Sequence, residues 1–93
     1  MKKTFFKTDH FIFRQWDRKI TDELVSHALR NVSPTQGHYC IIVSRRIVKQ
    51  FLKIEKELYI ITQNKRLITC YLEKIHLCKS KKIKDISYII IDK

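Results

Sequence analysis

The sequence predicts an α+β domain: two N-terminal helices packed on one face of a four- to five-stranded antiparallel sheet. Three observations predict it. The apolar residues recur with a helical period before Ser33 and with a strand-like period after His38. The single proline and the single glycine fall together between those halves, so Ser33-Pro34-Thr35-Gln36-Gly37 is the clearest loop signal. The chain has 93 residues, 44% of them hydrophobic, which suits one small domain spanning residues 1–93.

The first helix is expected to begin at Thr8 or Asp9, either of which can cap it, and to run to about Lys19. Ile12, Phe13, Trp16 and Ile20 recur at spacings of one, three and four, and are expected to form its buried stripe. His10, Arg14 and Arg18 flank that stripe. In the second helix Thr21 is the expected cap, with Asp22 and Glu23 in the first turn favouring the helix dipole. Leu24, Val25, Ala28 and Leu29 supply its apolar face.

Beyond the loop, residues 39–43 read as a strand and Ser44-Arg45-Arg46 as a turn or strand edge. Residues 47–54 alternate lysines with apolar side chains and read as a second strand, which puts Lys49, Phe51 and Lys53 on one face. Residues 58–63 are the third strand. Asn64-Lys65 fits a two-residue hairpin turn, although the usual glycine is missing. Residues 67–73 are the fourth strand, with Ile68, Cys70 and Leu72 on its core face and Thr69 and Tyr71 on the other. The β-branched run from Ser87 to Ile91 predicts a fifth. A helix there would use Ile83, Ile86 and Ile90, but Ile89-Ile90-Ile91 is a poor helical surface.

Charge narrows the function. Lysine and arginine number 20 against nine acidic residues, a net charge of +11, whereas a small domain ordinarily carries a magnitude of about 2–8. Such an excess suits an anionic partner: RNA, DNA, an acidic protein or, more weakly, an anionic membrane surface. One glycine excludes both the P-loop and the dinucleotide fingerprint. Three cysteines without a C-x-x-C disfavour a disulfide framework and a zinc site built from cysteine pairs, and the four histidines are scattered. Neither a metal nor another cofactor is expected. No run approaches about 18 apolar residues, so no membrane span is expected.

His10, Arg14 and Arg18 are the sharpest signal. Spacing by four puts all three on one helix face, where they repel one another unless an anion sits among them. An imidazole moves protons near neutral pH, and two guanidiniums brace charged oxygens. These are the groups that RNA cleavage without a metal requires. In that reaction the 2′-hydroxyl attacks the adjacent phosphorus, a base takes its proton and an acid protonates the leaving 5′-oxygen. Thr69 and Tyr71 add hydroxyl donors. The second proton-transfer group is left open among His38, Tyr71 and Lys49. Beside this site the sheet face carrying Lys49, Phe51 and Lys53, together with Arg45 and Arg46, interleaves cations with aromatics as a single-stranded nucleic-acid surface does.

The run Phe6-Lys7-Thr8-Asp9-His10, followed by Arg14, Arg18, Ile20-Thr21, Ala28-Leu29 and the strand Thr69-Cys70-Tyr71, resembles a family of small bacterial domains. These are the toxin RNases of the barnase–EndoU–colicin–RelE superfamily. The resemblance covers roughly residues 5–73, with Lys19 standing where the family has glycine before the second helix. It implies two helices on a four-stranded antiparallel sheet and metal-independent endoribonuclease activity on tRNA or mRNA. His10, Arg14, Arg18, Thr69 and Tyr71 would form the catalytic set. It implies too an acidic antitoxin or immunity protein covering the site, with the toxin acting in the cytoplasm, either free-standing or delivered as the C-terminal part of a secreted effector. Two other readings use the same cations: a non-catalytic RNA- or DNA-binding module, and a structural protein that docks an acidic partner.

Overall fold

The computed structural model describes residues 5–30, 32–33, 36–74 and 86–92. The element order is β1 (Phe6–Lys7), α1 (Asp9–Asp17), α2 (Asp22–Leu29), β2 (His38–Val43), α3 (Arg45–Leu52), β3 (Glu57–Gln63), β4 (Arg66–Glu73) and β5 (Ser87–Ile91). The five strands form one sheet in the order β1-β4-β3-β2-β5. The α+β class and the two leading helices agree with the sequence reading. The sheet is mixed, however: β2-β3 and β3-β4 pair antiparallel, while the short β1 runs parallel to β4, and β5 runs parallel to β2. His76, Cys78 and the basic run Lys79-Ser80-Lys81-Lys82 lie outside the described residues, as do Pro34 and Thr35 of the central loop.

Both leading helices start as their residue types dictate. Thr8 caps α1 by accepting from the Phe11 N–H at 3.2 Å, and Thr21 caps α2 by accepting from the Leu24 N–H at 3.3 Å. Helix α1 ends in a Schellman arrangement. The Lys19 N–H reaches the Trp16 carbonyl and the Ile20 N–H reaches the Gln15 carbonyl, with Lys19 in the left-handed region at φ 58°.

The stripe expected on α1 is wrong by part of a turn. Phe11 and Gln15 face inward, whereas Ile12, Phe13 and Trp16 are exposed; only Ile20 of the expected set is buried. With Phe11, Ile12 and Phe13 consecutive, apolar spacing alone cannot fix the helix rotation. A tertiary tie does so: the Thr8 hydroxyl lies 2.8 Å from the Leu67 carbonyl and 3.2 Å from that of Ile68, pinning the start of α1 to β4. Gln15 completes the orientation. It accepts from Lys7 Nζ at 3.0 Å and donates to Asp22 Oδ1 at 2.6 Å, while Lys7 pairs with the same Asp22 oxygen at 2.8 Å. One polar knot thus joins β1, α1 and α2. The Lys7 and Gln15 hydrogen bonds hold the Asp22 carboxyl below its usual pKa.

Residues 47–54, expected as a strand, belong mostly to helix α3. Ser44 caps it, accepting from the Ile47 N–H at 3.5 Å, and Ile47 and Val48 are buried, with Phe51 and Leu52 packed against the core one turn later. That i, i+1, i+4, i+5 set fits a helix at least as well as alternation fits a strand. Lys49, Phe51 and Lys53 are therefore not on a sheet face. Lys53 ends α3 in the left-handed conformation at φ 62°.

The other strands follow the sequence closely. Asn64 and Lys65 both have positive φ, 50° and 72°, as a tight two-residue hairpin requires without its glycine. The Asn64 side chain compensates by accepting from the Gly37 N–H at 3.0 Å. The β3-β4 register shifts between Ile61 and Thr62: Ile61 pairs with Thr69 and Thr62 with Leu67, which leaves Ile68 as an extra residue, a β-bulge. Leu67, Cys70 and Leu72 consequently face the helices, and Ile68 does not share their alternation.

All three helices cover one face of the sheet. Phe11, Leu24, Val25, Ala28, Ile47 and Val48 pack there against Ile41, Val43, Leu58, Ile60, Leu67 and Cys70. The opposite face, where the sequence suggested a nucleic-acid surface, is closed at its centre. Cys40, Ile42 and Tyr59 are fully buried there, with Ile61, Tyr71, Ile86 and Tyr88 packed around them.

Candidate active site

Strand β1 pairs only with Arg66 and Leu67, so among the described residues the rest of β4 has no strand beyond it. Helix α1 packs against β4 along this stretch. With Phe11 and Gln15 turned inward, the His10-Arg14-Arg18 row looks onto the edge of β4. A hollow of about 390 Å³ opens there, lined by His10, Arg14, Arg18, Thr69, Cys70, Tyr71 and Glu73. All five residues that the sequence proposes as catalytic thus meet in one place, at a sheet edge rather than on an open sheet face.

Each lining group has a physical setting that limits its chemistry. His10 is exposed and Arg14 half-buried, and neither has a salt-bridge partner among the described residues. Arg18 touches Asp17 at 3.7 Å, a loose surface pair of little energy. The Tyr71 ring stacks on Tyr59 with centroids 5.2 Å apart and planes 5° from parallel, and the Tyr59 hydroxyl donates to the buried Glu57 carboxylate at 2.9 Å. Burial, helped by Cys40, Glu73 and Tyr88, raises the Tyr71 phenol above its ordinary value. Tyr71 therefore stays protonated at neutral pH and can donate a hydrogen bond but not accept the proton of an alcohol. Burial also pushes the Cys70 thiol up to about 11 against the opposing charges of Lys7 and Arg14, so it is a packing group and not a nucleophile.

Glu73 was missed. It stands two residues beyond Tyr71 and four beyond Thr69, on the same side of β4, so strand alternation alone could have found it. It brings a carboxylate opposite an imidazole and two guanidiniums. Of the groups considered for the second proton transfer, His38 and Lys49 do not line the hollow: His38 pairs with Gln63 at the start of β2, and Lys49 lies 3.8 Å from Glu55.

The residues assigned to nucleic-acid binding are not brought here either. Arg45 donates to the Lys74 carbonyl at 2.6 Å, and Arg46 donates to the Asp92 carbonyl and pairs with its carboxylate at 3.6 Å. Phe51 is half-buried against the His27 ring at 5.4 Å. Among the described residues no three His, Cys, Asp or Glu side chains cluster as metal ligands do, and no helix is long and apolar enough to cross a membrane.

No family model, curated protein or solved structure matches this chain. What the hollow can do follows from its groups: bind a phosphate through two guanidiniums, donate from Tyr71 and Thr69, and move protons through an imidazole and a carboxylate.

Proposed function

We propose that this protein is a metal-independent endoribonuclease, cleaving RNA through attack of a 2′-hydroxyl on the adjacent phosphorus. One observation carries the reading: His10, Arg14, Arg18, Thr69 and Tyr71, scattered over two elements, line a single accessible hollow. Glu73 supplies the proton acceptor that the sequence reading lacked. In the step, the 2′-oxygen bonds to phosphorus as Glu73 takes its proton, and the bond to the 5′-oxygen breaks as His10, in its imidazolium form, protonates that oxygen. The product carries a 2′,3′-cyclic phosphate. Arg14 and Arg18 brace the non-bridging oxygens as negative charge gathers in the transition state, and Tyr71 and Thr69 donate to them.

The charge of +11 and the resemblance to bacterial toxin RNases extend the proposal to its setting. The substrate is tRNA or mRNA, the site of action is the cytoplasm, and an acidic antitoxin or immunity protein neutralises the activity. The left-handed backbone at Lys19 supports the resemblance, because it is the conformation for which glycine is best suited.

The test is cleavage of total RNA by the purified protein in EDTA. Fragments should end in 2′,3′-cyclic phosphate, and His10→Ala should abolish them while RNA affinity survives. Cleavage that persists in His10→Ala refutes the catalytic assignment. Salt-sensitive RNA binding without any cleavage identifies a non-catalytic binding module instead.

A further inference from the structure

A second row of side chains stands beside the hollow. The antiparallel register sets Glu57 of β3 opposite Glu73, Tyr59 opposite Tyr71 and Ile61 opposite Thr69. Positions two apart on a strand share a face, so each of these β4 residues has a β3 neighbour on the side away from the free edge. The middle pair is built differently from the other two. Tyr59 is fully buried, and its ring lies flat against that of Tyr71, with centroids 5.2 Å apart and planes 5° from parallel. The Tyr59 hydroxyl donates to Glu57 Oε1 at 2.9 Å, and Glu57 is itself buried.

Packing alone does not call for this arrangement. A leucine or a phenylalanine would fill the place beside Cys40 and Ile42 without bringing a hydroxyl that must find a partner in the interior. What the arrangement supplies is orientation. The hydrogen bond to Glu57 fixes the tip of the Tyr59 ring, the core fixes its plane, and the half-buried Tyr71 ring rests against that plane. A side chain on an outer strand has several staggered rotamers open to it. A ring stacked on a fixed neighbour loses most of that freedom. The Tyr71 hydroxyl is thereby aimed before substrate arrives, as a donor that serves the transition state needs to be. We propose that Tyr59 is a positioning residue, whose ring, locked by Glu57, holds the Tyr71 hydroxyl at the phosphate site of the hollow. The inference rests on the ribonuclease reading and adds to it a buried residue that never touches the substrate.

The test is steady-state cleavage, in EDTA, of a fluorogenic RNA oligonucleotide that the wild-type protein cuts. Tyr59→Leu should lower kcat about 10-fold or more, with KM changed by less than about 2-fold. Tyr71→Phe keeps the stacked ring but has no hydroxyl to aim. In that background Tyr59→Leu should lower kcat no further, although its loss of stability in urea persists. The same fractional loss of kcat in both backgrounds marks a merely structural Tyr59 and overturns the proposal, as does full activity in Tyr71→Phe. Tyr59→Phe carries the test if the leucine variant does not fold, because it keeps the ring and removes only the lock. It should lower kcat about 3-fold, and that loss too should vanish in Tyr71→Phe. An unchanged kcat in Tyr59→Phe overturns the proposal. If the wild-type protein cleaves no RNA, the ribonuclease reading fails and the inference fails with it; if it cleaves and the Tyr59 losses are additive, only the inference fails.

Discussion

Two regions of this molecule are rich in positive charge, and they use it differently. Around α3, Arg45 and Arg46 hold the carbonyls of Lys74 and Asp92, Lys49 lies beside Glu55, and Lys53 closes the helix in a left-handed turn. Along α1, His10 and Arg14 have no salt-bridge partner among the described residues and face a hollow. A count of cations ranks the two regions alike, and from sequence both were given to RNA, the α1 row for catalysis and the Arg45–Lys53 stretch for binding. What distinguishes them is what each charge already touches. A cation bound to a backbone carbonyl stabilises the fold; a row of basic groups that meets only a loose Asp17 and the Glu73 carboxylate across a hollow still favours an anionic ligand.

The largest expected effect breaks that contrast at its centre. His10→Ala should lower RNA cleavage by about 10²- to 10⁴-fold, whereas Lys49→Ala should leave the rate unchanged; equal losses in a cleavage assay would erase the distinction. Next comes the tie that aims the row. Thr8→Ala removes both the cap of α1 and the hydroxyl's bonds to the Leu67 and Ile68 carbonyls, leaving only the Thr8 N–H on Leu67, and should cost about 1–2 kcal/mol in urea denaturation. The binding contrast is read from salt dependence. Arg14→Ala should flatten the slope of log affinity against log salt by about 0.7 for single-stranded RNA, and Arg45→Ala should not change it. Smaller again is the backbone effect: Lys19→Gly should stabilise the protein by about 0.5–1 kcal/mol, because a left-handed lysine is strained where glycine is not. Lys53→Gly should act alike, and a loss of stability in either variant would contradict the turn geometry.

The smallest effect concerns Asp22, whose carboxyl is held below its ordinary pKa by Lys7 and Gln15. A lowered folded-state pKa stabilises the protein above the unfolded value of about 3.9, and that stability disappears as pH falls through the folded value. The group is mostly exposed, so the contribution is a few tenths of a kcal/mol at most after solvent screening. Asp22→Asn should make the acid limb of a stability–pH curve slightly shallower, and high salt should shrink the difference.

Much of the site was legible in the sequence because its parts obey local rules. His10, Arg14 and Arg18 share a helix face by spacing, and Thr69 and Tyr71 share a strand face by alternation. That both sets meet is tertiary, and so is the reason: Thr8 fixes the rotation of α1 by reaching a carbonyl 59 residues away. The same rotation explains the failed core prediction at Phe13 and Trp16. Helix α3 was hidden by lysines that alternate by chance with apolar residues, while Ser44 carried a capping signal read as a turn. The parallel pairing of β5 with β2 leaves no local trace, since a β-branched strand fits either direction.

The extra residue at Ile68 gives β4 two loyalties. Before it, Leu67 faces the helices; after it, Thr69, Tyr71 and Glu73 are turned away from them, while Cys70 and Leu72 take over the inward role. A strand of uniform alternation could not do both from these residues. Deleting that one isoleucine would close the bulge and leave every later position on its present face, whereas forcing it into a regular ladder would send a tyrosine and a glutamate into the core and a cysteine and a leucine outward. The bulge, and not the length of the strand, is therefore what lets one chain segment serve both the core and the hollow.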